Sequence, residues 1–376
     1  MNDTPNFTYQ SIAINTQHSV SFIKSISELS LKKFLILLLI LTSSIPLFSQ
    51  HQHSFHIPDS DSIKVWLKNN NVASIGIGTI EDGKLNKIIV QGKLSPDKDA
   101  PFNAIYDVAS LTKSITTYLT LRLVSDGNWD LDEPLANYWV DPEVSTDPRH
   151  KLLTSRHVLS HQTGFKNWRW QHSSKKLTFD FEPGSKFQYS GEGFEYLRRA
   201  LERKFDTSLE NLCDSLVFTP FGMKDSHLVW NKEIDSTRLA LGHDASNQPY
   251  DYEPSLQANA ADNLLTTIED FGIFGVGVME AQGLTSEVFD QMITQHSEVR
   301  DKVGFGLGWI VFNNLPNDEY ALFNAGSDEG VNAIILLLPK SKRGLIVMTN
   351  GDNGRSLAMK ILAKSSEVGM EILKRF

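Results

Sequence analysis

The stretch DVASLTKSITT, residues 107 to 117, begins a run from Val108 to Val124 that carries only two charges, Lys113 and Arg122. A run this apolar predicts a buried helix over Ser110 to Ser125. Positions i and i+3 of a helix are neighbours, so Ser110 and Lys113 share one face. The extended-looking YDVA before them puts Ser110 at the helix N-terminus. There, unpaired N–H groups and the positive end of the dipole favour an oxyanion. Burial disfavours an ammonium, so a lysine held out of water can take a serine's proton. The same spacing fits a capping serine and a lysine whose stem runs along apolar surface to solvent. On spacing alone the two readings stand level. S-x-x-K occurs five times, at Ser21, Ser30, Ser95, Ser110 and Ser173, but only Ser110 opens a long apolar helix.

Outward from this helix, the pattern divides in three. Residues 59–68, DSDSIKVWLK, predict a short helix with acidic residues at its start. VASIGIGTI (72–80) and LNKIIVQG (85–92) predict a hairpin turning at Asp82-Gly83. From residue 107 to about 299 helical patterns alternate with long loops, with helices expected at 152–160, 193–205, 208–217 and 267–280. Strand character returns in FGLGWIVF (305–312), YALFNAG (320–326), VNAIILLLP (331–339) and GLIVMTN (344–350), and one helix, 355–374, ends the chain. The economical fold is α+β: one mostly antiparallel sheet built from both chain ends, about 60–106 and 300–376. Helices flank it, and a mostly helical region, about 107–299, is inserted.

Composition removes several function classes. The chain has 376 residues, 40% hydrophobic and 22% charged, with a net charge of −9. It is long enough for a large core. Neither the charge nor any long basic run favours nucleic acid as a partner. The single cysteine, Cys213, rules out an intrachain disulfide and reads as a packed thiol. No phosphate-binding glycine loop and no His/Cys/Asp/Glu cluster with metal-ligand spacing is present, so neither cofactor nor metal is expected. Lys32-Lys33 followed by FLILLLILTSSIPLF (34–48) fits a secretory signal within residues 1–50. It is shorter than the about 20 residues of a membrane span. A periplasmic or secreted domain over 51–376 is therefore expected, with membrane contact only through the export signal. Its start, HQHSFH, with His51, His53 and His56, reads as a polar tail.

The run YDVASLTKSITT…DGNWDLDEPLANYW resembles the serine β-lactamase and penicillin-binding-protein-like hydrolases, especially the class C β-lactamase and esterase branch. LLTSRHVLSHQTGF (152–165), FEPGSKFQYSGEGFEYL (181–197), ANAADNLLTTIEDFGIF (258–274), GFGLGW (304–309) and FNAGSDEGVNAIILLLP (323–339) resemble that family in order, over about 60–375. The resemblance implies an acyl-enzyme on Ser110, with Lys113 as its base or proton relay. It implies Tyr189 as the second acid/base group, with Lys113 a cation near enough to favour a phenolate. It also implies an oxyanion hole from the N–H groups of Ser110 and Ser327, with Asn324 and Gly326 in the substrate-binding strand. His161 in LSHQTG is implied to be structural.

Two motifs depart from the family pattern. Tyr-x-Asn is missing: Tyr189 is followed by Ser190-Gly191, and none of the nine tyrosines has Asn two residues on. The third motif, usually Lys-Thr-Gly or His-x-Gly, is Asn324-Ala325-Gly326. A substrate carboxylate thus loses one expected partner, unless Lys166, Arg169 or Lys186 replaces it. The expected function is cleavage of a small ester or amide, including a short D-amino-acid peptide or a β-lactam-like ring. The competing expectation is a non-catalytic or slow-turnover binding or sensor protein on the same fold.

Overall fold

The computed structural model describes residues 54–375. The expected export signal, and His51 and His53, lie outside the described residues. Helices are α1 Ser60–Asn70, α2 Thr112–Ser125, α3 Ser155–Leu159, α4 Gly191–Phe205, α5 Leu209–Cys213, α6 Ile268–Met279, α7 Ser286–Ile293, α8 Gly354–Ser365 and α9 Glu367–Arg375. Strands are β1 Ser74–Glu81, β2 Lys84–Ser95, β3 Lys98–Asp99, β4 Tyr106–Asp107, β5 Leu265–Thr266, β6 Ser297–Arg300, β7 Val303–Phe305, β8 Ile310–Leu315, β9 Glu319–Asp328, β10 Val331–Leu338 and β11 Arg343–Thr349.

Among the described residues nine strands form one antiparallel sheet in the order β3-β2-β1-β11-β10-β9-β8-β7-β6. β1, from the chain's beginning, pairs with β11, from its end. The β1–β2 hairpin turns where expected, with Asp82 and Gly83 both at positive φ, the conformation that a two-residue primed turn needs. β10 is buried at all eight positions. Its side chains alternate between two cores: Ala333, Ile335 and Leu337 face the helical region and α6, while Ile334, Leu336 and Leu338 face α1, α8 and α9. A strand covered on both faces reads as a continuous apolar run, which is why VNAIILLL shows no alternation.

Several boundaries differ from the expected ones. The 305–312 run is not one strand. β7 ends at Phe305 and β8 begins at Ile310, with Gly306 N–H donating to Trp309 O and Gly308 at φ +75°. The Gly308 amide is drawn to Leu159 O at 2.7 Å, so the turn swings toward the helical region. The final helix is two helices. Ser366 is extended, its hydroxyl caps α9 by accepting from Gly369 N–H, and the freed Ser365 carbonyl accepts from His56 N–H. The 208–217 helix is α5 continued by a π-turn over Asp214–Phe218. The 152–160 helix shrinks to α3, capped by Thr154. The short pair β4–β5 and the edge strand β6 carry too few residues for a periodic signal.

One contact fixes the relation of sheet to helical region. β9 crosses the turn before α2 at Gly326, where a Cβ would overlap the Val108 carbonyl oxygen and lie 3.0 Å from the amide nitrogens of Ser110 and Leu111. These are backbone atoms and cannot rotate away. Gly326→Ala is therefore expected to cost about 1–3 kcal/mol, read as a lowered urea midpoint with an unchanged m-value.

Candidate active site

The first turn of α2 is not α-helical. Ala109–Leu111 form a 3-10 turn, and α2 proper begins at Thr112. Ala109 sits at φ +46°, a conformation that costs a non-glycine residue about 1–2 kcal/mol. Neighbours hold it there. The Asp107 carboxylate accepts from Ala109 N–H at 2.7 Å, Val108 N–H donates to Leu264 O, and β4 pairs with β5. The outcome is a sharp turn that presents Ser110, half-exposed, at the mouth of a cleft.

Lys113 is 3% exposed, so the reading in which it snorkels to solvent does not hold. Its amine donates to Ser110 Oγ at 2.9 Å and to Ala261 O at 2.8 Å. Two hydroxyls of TKSITT act in the same place. Thr112 Oγ1 accepts from Leu264 N–H, and Thr116 Oγ1 donates to Ala260 O. Thr112 and Thr116 thus stitch α2 to the segment 260–264 that supplies the lysine's second acceptor. Burial pushes the Asp262 carboxyl up to about 6, with Lys113 opposing and Asp328 adding to the shift. Burial also pushes Asp107 up to about 7; its bond from Ala109 opposes, and Asp262 and Asp328 add to the rise.

Tyr189 comes to the same cleft from the loop before α4. Lys113 Nζ lies 4.9 Å from its ring centroid, and its hydroxyl makes no hydrogen bond to another described residue. His161 holds this loop: its Nδ1 accepts from Ser190 N–H, its carbonyl accepts from Gln188 N–H, and its ring lies 4.2 Å from that of Tyr189. Burial, then the nearby Lys113, holds the imidazole well below its usual range, so His161 is a neutral positioning residue. Cys213 is buried, and desolvation pushes its thiol well up.

Ser110, Tyr189, Asn324, Gly326 and Ser327 all line one cleft of about 730 Å³. Ser327 Oγ donates to Asn332 Oδ1. Asn324 is largely occupied structurally: its Nδ2 donates to Gly308 O at 2.9 Å and its Oδ1 accepts from Ala325 N–H. The three suggested replacement cations are engaged elsewhere. Lys166 pairs with Asp180, Arg169 with Asp141, Glu143 and Glu192, and Lys186 lies over Phe181. Among the described residues the cations that line the cleft are Arg300 and Arg355, which no motif pointed to.

Gly191 has a steric cause. A Cβ there would meet the Trp168 indole at 2.8–3.0 Å, so the space an asparagine would need is filled. The neighbouring Asn167 lines the cleft instead, its Oδ1 fixed by Gly191 N–H at 2.8 Å. Nothing in the sequence marked Asn167, because it lies 24 residues before the motif position. No group of three or more potential metal ligands occurs among the described residues.

A family model described as Beta-lactamase matches residues 68–365. Protein flp of Staphylococcus aureus (strain MRSA252) is 21% identical over 311 residues, 76% of this chain and 60% of that protein. This chain thus spans about three fifths of the length of that relative. Esterase EstB of Burkholderia gladioli is 26% identical over 176 residues, 39% of this chain and 44% of EstB. Among solved structures, the octameric penicillin-binding protein homologue from Pyrococcus abyssi superposes with a TM-score of 0.67 at 21% identity, covering 78% of this chain and 73% of that one. A class C beta lactamase from Rhodobacter sphaeroides gives 0.66 at 14% identity, covering 80% and 97%. These structures share the fold.

Two outcomes are expected. Gly191→Asn alone lowers the thermal midpoint, and adding Trp168→Ala restores most of the loss, as a double-mutant cycle would register. Asp107 binds its proton more tightly folded than unfolded, so its contribution to stability is present below about pH 4 and lost as pH rises through about 7. Asp107→Asn keeps the acceptor for Ala109. Its thermal midpoint, relative to the parent protein, is expected to rise across that window.

Proposed function

We propose, from the premise that this chain belongs to the Beta-lactamase family, that it hydrolyses a small ester or amide through an acyl-enzyme on Ser110. The observation that carries this reading is the buried Lys113 amine 2.9 Å from Ser110 Oγ, at the mouth of the cleft. Ser110 Oγ attacks the substrate carbonyl carbon as its proton passes to Lys113. The tetrahedral oxygen takes hydrogen bonds from the N–H groups of Ser110 and Ser327; the abutment of Gly326 on the Ser110 amide supports this pairing. Collapse expels the alcohol or amine, which takes a proton relayed by Tyr189 and Lys113. Water, deprotonated by the same pair, attacks the acyl carbon and returns Ser110.

An ester is the favoured substrate class. The third-motif position offers an asparagine whose amide already serves Gly308 O, which weakens anchoring of a β-lactam or peptide carboxylate. The esterase among the relatives supports the same choice. The rival reading, a binding protein without turnover, is favoured by the departures at Gly191 and Asn324. The run from Lys32 to Phe48 supports export to the periplasm or beyond.

Intact mass after treatment with a fluorophosphonate, and separately with a penicillin, tests the chemistry. A fluorophosphonate adduct on the parent protein and none on Ser110→Ala is expected, with ester turnover falling at least 10³-fold in that variant, an order set by loss of the nucleophile. Turnover that survives Ser110→Ala would exclude the mechanism. Stoichiometric ligand binding with no adduct would favour the rival.

A further inference from the structure

The cleft does not end at Ser110. β8 leaves β9 at the Ile310–Phe323 pair, so from Asn324 to Asp328 only β10 pairs with β9 among the described residues. Among the described residues the other edge of β9 is open there: the Gly306–Trp309 turn sends its Gly308 amide to Leu159 O and meets β9 through the Asn324 side chain instead of pairing along it. Successive β9 residues face opposite sides. Gly326 faces the Ser110 turn, whereas Phe323 and Ala325 face the core under α8 and α9. Residues of both sides line the same cavity. It therefore passes around the open edge of β9, from Ser110 and Tyr189 to Met359 on α8 and Leu373 on α9.

The far arm is apolar. Val299, Ile310, Ala325 and Met359 pack on the second core yet remain partly exposed, and each lines this cavity. Arg300 and Arg355, the cations of the lining, are exposed residues. A cleft of about 730 Å³ whose polar groups gather near Ser110 and whose far wall is apolar is a form that small-molecule sites take.

We infer that this arm, between the open edge of β9 and helices α8 and α9, holds a hydrocarbon chain of the substrate, acyl or alcoholic, while its carbonyl lies at Ser110. The inference rests on the ester reading above for the chain's role, and on the continuity of the cavity for its place. Burying a methylene raises affinity up to roughly fourfold, so chain length is the readout.

Binding to Ser110→Ala, which needs no turnover, separates this inference from the catalytic one. n-Alkyl carboxylates from acetate to decanoate and n-alkanols of matching length are titrated by calorimetry. Affinity is expected to climb stepwise with chain length in at least one series, by tens-fold or more over the rising part. The carboxylate series rising puts the chain on the acyl side; the alkanol series rising puts it on the leaving-group side. Met359→Trp, which fills the arm, and Leu373→Glu, which charges it, are each expected to flatten that rise. Flat series in both, or a slope that survives in both folded variants, would overturn the inference. It would leave the arm to another occupant, a segment of this chain or a second copy. Absence of ester turnover in the parent protein would sink the catalytic reading alone.

Discussion

A buried amine with two hydrogen-bond acceptors is the constraint on which this structure turns. Lys113 sits out of water between Ser110 Oγ and Ala261 O, and a buried polar group left without partners is costly. Its neighbours are accordingly fixed. Thr112 and Thr116 bind the 260–264 segment to α2, Asp107 pins the αL turn at Ala109, and Tyr189 lays its ring beside the amine. Thr112, Thr116 and Asp107 thereby hold in place the segments that carry the two acceptors.

The sheet enters this arrangement through backbone rather than side chains. Gly326 brings β9 against the amides of Ser110 and Leu111, and the same strand keeps an open edge beyond Phe323. A rigid, doubly covered β10 behind it keeps that edge in place. The helical region brings Ser110, Lys113 and Tyr189 together, and β9 lines the same cleft with Asn324, Gly326 and Ser327. Neither half is a site without the other.

Much of this was legible in the sequence. The apolar run with one internal lysine marked α2. The Asp82-Gly83 turn and the strand runs at both ends gave the sheet's plan, and the order of motifs picked out Ser110, Lys113, Tyr189 and the β9 residues. Contacts between distant segments were not legible. Asn167 and Trp168 take over the Gly191 position through space, and Arg300 and Arg355 reach the cleft from β6 and α8. The split at Gly306–Trp309 follows from a hydrogen bond to Leu159, about 150 residues earlier, which no local pattern encodes. The αL turn at Ala109 was hidden because alanine carries no signal for positive φ.

The pairing of β1 with β11 joins Ile75 to Thr349 and Ile80 to Gly344. During synthesis the first hairpin exists long before its partner strand, and its inner edge stays unpaired while more than 250 residues are added. Contacts of such sequence separation slow folding and prolong exposure of apolar strand edges. The central sheet therefore completes only after its last strand has been made, with the whole helical region already synthesised between the two paired strands.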